Sequence, residues 1–319
     1  MSEATPENLR DYPFDYLTSR AIGDVLIGED TAIEFINASA VGDVATLEGL
    51  LEQSPEIALE SPHRIYQEKR PAADDNDVRI VQAMRISNLA QAISRAAENG
   101  HGAAVSTLLA FASRNGVKSS SVIEREAIKK TIERGHVAVF EVLAKAEPSV
   151  AVFDIIQGRR PLDFAIASNN VELAKVVLEQ GGGREFPRAG RKFSYRTGRL
   201  CQAANSTKKD MAELMIQHGY TVKESGALQM AAGRGALDTI RMLVEEHGAD
   251  VNEQLPSETL PVVDNALYAS WTPMHFAARS KQGEAMKLLE SYGAKTDVVD
   301  VNGKTPSQLF EEQKDASKK

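Results

Sequence analysis

Residues 271–294 read WTPMHFAARSKQGEAMKLLESYGA, and DVNGKTPSQLF follows from Asp300. Thr272 and Pro273 form a helix start, a capping side chain followed by the one residue that wastes no donor at the first helical position. The Ala277-Ala278 pair lets a neighbouring helix approach closely. Gly293 sits where a left-handed residue ends the second helix. Thr305-Pro306 repeats the start 33 residues after Thr272-Pro273. A helical hairpin with this period is a repeat unit, and a lone unit cannot bury its apolar face, whereas a stack can.

The same phase threads backwards. Gly226 to Asn252 reads GALQMAAGRGALDTIRMLVEEHGADVN, and Arg160 to Gly181 reads RPLDFAIASNNVELAKVVLEQG. Weaker units start at Gly198, Glu126, Gln91 and Ile33. Positions equivalent to Thr272 are then 33, 91, 126, 160, 198, 226, 272 and 305, with gaps of 58, 35, 34, 38, 28, 46 and 33. The long gaps call for insertions, and the gap of 28 for a shortened connecting loop. Ala231-Ala232 and Ala203-Ala204 recur on the first helices. Gly100, Gly135 and Gly235 fall between helices, and Leu237, Ile240, Leu243 and Val244 give the second helix an apolar stripe.

TPMHFAA and the HGADVN exit resemble the ankyrin repeat. The resemblance covers roughly residues 31–312 and is closest over 226–312 and 158–181. It implies an all-α, ankyrin-like helical-hairpin solenoid of about seven repeats with a C-terminal capping half-repeat. A short extension (1–30) precedes it, insertions interrupt it near 56–85, 182–197 and 253–268, and a polar tail (313–319) ends it. The signature Pro survives only at Pro161, Pro273 and Pro306, and the signature His only at His275. The resemblance also implies recognition of another protein on a concave face of first helices and finger loops.

The 319 residues are 42% hydrophobic and 26% charged, with a net charge of −8 and a pI near 5.4. That excludes wholesale disorder and disfavours nucleic-acid binding by bulk charge. A single cysteine, Cys201, excludes an intramolecular disulfide and C-x-x-C metal spacing. By register it takes the signature-His position, as an inert core thiol. The N-terminus lacks an apolar signal core, and no run reaches a membrane span. A cytoplasmic protein, with a nuclear location also open, is the expectation.

One segment inverts the charge. Residues 184–199, REFPRAGRKFSYRTGR, hold six cations against Glu185. With Arg159 and Arg160 of the preceding finger they form a basic, aromatic-bearing ridge. Arg184, Arg188, Arg191, Lys192, Tyr195 and Arg196 are therefore candidate contacts for an acidic or extended partner segment, since guanidinium forks suit carboxylates and phosphates. Trp271, the sole tryptophan, is the candidate aromatic anchor, with packing against its own loop as the other reading. No catalytic motif, metal set or cofactor loop emerges. The expected function is a non-enzymatic adaptor, scaffold or inhibitor that is monomeric on its own. Two alternatives stand beside it. One is an enzyme or small-molecule binder whose insertions roof a pocket with His63, Tyr66, Asp74 and Asp264. The other is a partner bound on the outer helices.

Overall fold

The computed structural model describes residues 24–25, 30–61, 63–69, 78–156, 158–183, 195–255 and 270–316. They form two units, Met1–Ile155 and Ile156–Lys319. The boundary falls between two repeats.

In the first unit, α1 (Asp30–Val41), α4 (Asn88–Glu98) and α7 (Arg125–Glu133) are first helices. Each turns back into its partner, α2 (Val44–Gln53), α5 (Gly102–Arg114) and α8 (Val137–Ala146). First helices pack on first helices and second on second. Phe35, Leu47, Leu89, Ile93, Leu108, Ile128, Phe140 and Leu143 fill the space between them. Short helices α3 (Pro55–Leu59) and α6 (Ser119–Val122) lie in the connections.

The second unit repeats the plan four times. The pairs are α9 (Pro161–Ala167) with α10 (Val171–Glu179), α11 (Tyr195–Ala203) with α12 (Asp210–Gln217), α13 (Ala227–Arg234) with α14 (Leu237–Arg241), and α15 (Pro273–Arg279) with α16 (Gly283–Ser291). A single helix, α17 (Pro306–Ala316), packs on α15 and closes the stack. It takes up residues 313–316, expected to be tail. The alanine pairs do what their size permits: Ala203, Ala204, Ala231, Ala232, Ala277 and Ala278 are all buried between first helices.

The register is confirmed at the hairpin turns. Gly42, Gly100, Gly135, Asn169, Gly235 and Lys281 all have positive φ, and each lies nine residues after its expected repeat start. The next residue donates its N–H back across the turn, as in His101 to Ala96 O and Gln282 to Ala277 O, at 2.8–3.0 Å in all six. These are the bonds that close a Schellman turn. In the first unit the turns also stack. The His101 ring lies over Gly42 and the His136 ring over Gly100, where an added Cβ would stand 2.6 and 2.9 Å away.

Several irregularities have local causes. Helix α4 starts one turn before the expected position 91, because Ser87 caps it by accepting from Ala90 N at 3.1 Å. From Gly219 to the cap at Gly226 the chain takes 7 residues, against 12 from Gly293 to Thr305, so the gap of 28 is a shortened finger. Gly235 to Gly248 spans 13 positions where Asn169 to Gly181 and Lys281 to Gly293 span 12. The extra residue is absorbed as a π turn at Met242–Glu246, continuing α14.

The first insertion is not a bare loop. It contains β2 (His63–Lys69) and β3 (Val78–Arg85), antiparallel and offset at Tyr66/Gln67, with β1 (Asp24–Val25) on the other side of β2. The helical repeats thus carry a small sheet that joins the N-terminal extension to the insertion. Its base is clamped where Asn88 N donates to Glu60 O at 2.9 Å and Asn88 Nδ2 to Ile57 O at 2.7 Å.

Gly100→Ala and Gly116→Ala separate the two demands on turn glycines. Both have positive φ, but Gly116 has open space where Gly100 meets His136. Urea denaturation followed by circular dichroism is expected to show a loss of about 1 kcal/mol for Gly116→Ala and about 2–3 kcal/mol for Gly100→Ala. Adding His136→Ala should recover part of the difference.

Candidate functional site

Each first helix of the second unit offers one mid-helix position that its neighbours do not fully cover. It is the fourth residue after the cap: Phe164, Met230 and Phe276 are half-buried and Gln202 is exposed. Leu162, Ala165, Leu200, Ala203, Leu228, Ala231, Met274 and Ala277 around them are buried. Toward the hairpin turns the face carries Arg234 and Arg279, both exposed. Arg234 donates to the Asn205 side-chain oxygen, and Arg279 to Gln313 Oε1 at 2.5 Å. The equivalent mid-helix positions in the first unit are Asn37, Arg95 and Lys130.

At the other end of the first helices, the third residue of α9 and of α15 ties repeats together. Asp163 Oδ2 accepts from the backbone N–H of Arg160 at 2.8 Å, and Oδ1 accepts from Arg199 Nε of the next repeat at 2.8 Å. Burial disfavours the Arg199 charge, but the hydrogen bond and charge of Asp163, aided by Tyr220, outweigh it and raise the guanidinium pKa. In the fourth repeat of this unit, His275 Nδ1 accepts from Thr272 N at 3.2 Å, and Nε2 faces Lys304 O at 3.4 Å. A neutral ring protonated at Nε2 satisfies both. Burial lowers the His275 pKa, against the opposing pull of Lys304 O and Asp300. In α17 the reciprocal pair expected of a threonine cap forms, Thr305 N to Gln308 Oε1 at 2.9 Å and Gln308 N to Thr305 Oγ1 at 3.4 Å.

The basic ridge is described only in part. Arg159 is exposed, with its guanidinium 4.7 Å from the Phe164 ring centroid. Arg160 caps α9 and is half-buried. Arg184, Arg188, Arg191 and Lys192 lie outside the described residues. Tyr195 and Arg196 open α11, with side chains outside them too. Arg199, counted in the basic run, belongs to the core: its side chain is 6% exposed and committed to Asp163. The chain enters the undescribed stretch from Gly183, whose carbonyl accepts from the buried Tyr220 hydroxyl at 3.4 Å.

Trp271 requires a correction. It is 3% exposed and packs with Phe276, Ala278, Met286, Leu309 and Phe310. Its indole Nε1 donates to Asp300 Oδ2 at 3.3 Å. A side chain so enclosed anchors the last repeat and is not an interface residue. Leu260, Pro261 and Val262, its expected loop partners, are outside the described residues. Cys201 is buried as expected, and burial pushes its thiol pKa up to about 12.

Of the alternative pocket residues, His63 and Tyr66 are placed by backbone pairing alone, opposite Arg85 and Gln82. Asp74 and Asp264 are outside the described residues. Among the described residues no group of three His, Cys, Asp or Glu could hold a metal ion. No described helix is long and apolar enough to cross a membrane.

Sequence reasoning missed Asp163, Arg199 and Tyr220. The signal was present, since RPLDFA places Asp163 at the signature-His position. Its partner, however, lies 36 residues on and stood hidden in a basic run.

Two measurements test these contacts. Asp163→Ala should cost about 3–5 kcal/mol, because it strands a buried guanidinium, whereas Asp163→Leu with Arg199→Met should cost much less. Urea denaturation curves compare them. The second concerns pH. Since the folded His275 resists protonation, its contribution is fully present above the ordinary value of 6.5 and is lost as pH falls below it. Unfolding read by Trp271 fluorescence should become easier between pH 7.5 and 5, and less so in His275→Gln. Equal pH slopes for the two proteins would refute the assignment.

Comparison with known proteins agrees with this geometry. Residues 228–290 match the family model described as ankyrin repeats (many copies). A search of curated protein sequences finds no match. Among solved structures, the human ASB11 ankyrin repeat domain is similar at 19% identity and a TM-score of 0.38, covering 86% of this chain and 90% of that one. The ankyrin repeat domain of Bcl-3, a member of the IkappaB protein family, is similar at 16% identity and a TM-score of 0.49, covering 70% of this chain and 97% of that one. Neither score reaches 0.5, and the hairpin assignment rests on the turns and caps above. Ankyrin repeats generally serve as protein–protein interaction modules. Over residues 228–290 this chain is similar to ankyrin repeats.

Proposed function

We propose that this protein is a non-enzymatic interaction module, an adaptor, scaffold or inhibitor, that holds an acidic or extended segment of a protein partner. The observation that carries the reading is the anchoring at both ends of the basic stretch. Tyr220 holds Gly183 before it, and Asp163 holds Arg199 after it. In the sequence, Arg184, Arg188, Arg191, Lys192 and Arg196 lie between these two anchored residues, and Arg159 and Arg160 take the corresponding place in the preceding repeat. Arginines clustered in sequence between two anchored residues favour carboxylate or phosphate recognition over solubility alone. The buried thiol suits a reducing, cytoplasmic setting, and the chain is taken to act as a monomer until it meets its partner.

The test is a pull-down from native extract at low and high salt, with the wild type beside a variant carrying Arg188→Glu, Arg191→Glu, Lys192→Glu and Arg196→Glu. An acidic partner should be retained by the wild type, released by salt and lost in the variant, with the melting temperature little changed. Undiminished retention by the variant refutes the assignment. A co-purifying small molecule without a protein partner would favour the pocket reading.

A further inference from the structure

Charge is sorted by helix in the second unit. The four first helices α9, α11, α13 and α15 carry Arg196, Arg199, Arg234 and Arg279 against a single acid, Asp163. Asp163 is already committed to Arg199. The second helices α10, α12, α14 with its π turn, and α16 carry nine carboxylates against Lys175, Arg241 and Lys287. With Arg199 buried, the exposed charges described on the first helices are Arg234 and Arg279, whereas the second helices are strongly anionic. No such sorting occurs in the first unit, whose first helices mix Asp30, Glu34, Glu98, Glu126 and Glu133 with four cations.

The cationic face also holds the half-buried Phe164, Met230 and Phe276. Successive first helices pack directly on one another, so these equivalent positions form a row, interrupted by Gln202. Helices α13 and α15 approach closely here, since a Cβ on Gly233 would lie 3.6 Å from Phe276 O. Arg234 and Arg279 flank the row. Among the described residues they are held by amide oxygens and not by carboxylates, so their charges stay available while their positions are fixed. At the end of the stack α17 adds Glu311 and Glu312, the latter paired with Lys304 at 2.7 Å.

Resting on the interaction-module reading, we propose that this face takes up an acidic amphipathic segment of the partner. Its apolar side chains seat on the Phe164–Met230–Phe276 row, and its carboxylates meet Arg234 and Arg279. Met adapts its shape to an incoming side chain, the aromatic rings supply rigid area, and arginine forks fix carboxylates. The anionic second helices repel the same segment, which confines it to one face.

A peptide-display selection from a random library on the full chain tests this. Enriched peptides should be net acidic and carry at least two large apolar residues. A fluorescein-labelled copy of one should lose about tenfold or more in affinity with Met230→Lys, and likewise with Arg234→Glu plus Arg279→Glu, while Glu290→Lys on the opposite face leaves it within about twofold. Melting temperature is followed for each variant, and Met230→Gln replaces Met230→Lys should the lysine disturb folding. Peptides without acidic bias, or affinities indifferent to these changes, overturn the proposal. Binding lost only with Arg188→Glu and Lys192→Glu overturns it and leaves the interaction reading standing. A library without binders overturns both.

Discussion

The second unit depends on what the third residue of α9, α13 and α15 does. That side chain lies where a helix exposes unpaired N–H groups and where the following repeat must dock. Asp163 answers both needs at once, accepting from Arg160 N behind it and from Arg199 ahead. His275 does the same with a neutral ring between Thr272 N and Lys304 O. Gln229 reaches forward only, donating to Glu253 O at 3.1 Å, and its own Oε1 is buried without a partner among the described residues. Different chemistries therefore fill one geometric role, which explains how the repeats diverge in sequence while keeping their stacking.

That stacking tolerates local errors because each repeat contacts only its neighbours. One extra residue becomes a π turn, five missing residues shorten a finger, and an early serine lengthens α4 by a turn. None of these changes propagates, since the next hairpin turn restores the register. The first insertion is larger and is accommodated outside the stack, as strands paired to a piece of the N-terminal extension.

The two units use the same hairpin to make different surfaces. In the first, Glu98 is met by Arg95, Lys130 and Arg134 at 3.5, 3.3 and 2.7 Å, so charges on the first helices serve mainly to tie repeats together. In the second, one carboxylate among the first helices is consumed by one buried arginine, and Arg234, Arg279 and the apolar row face outward. A stack needs burial between helices, and that requirement leaves the outward row free to differ from unit to unit.

Caps, turn glycines, alanine pairs and a period near 33 are local signals. Each is fixed by backbone geometry within a few residues, so the sequence determined the hairpins and their phase. It also identified Cys201 as a core thiol, because register alone places it against the next helix. Contacts between residues far apart in the chain were decided by the tertiary structure. Trp271 read as an exposed anchor until Leu309 and Phe310 of the closing helix covered it. Arg199 read as part of a solvated basic run until Asp163, 36 residues earlier, drew it into the core. The strand pairing of residues 24–25 with 65–66 was invisible for the same reason. Burial and ion pairing are properties of neighbours in space, and a one-dimensional pattern records them only where the repeat period brings those neighbours into phase.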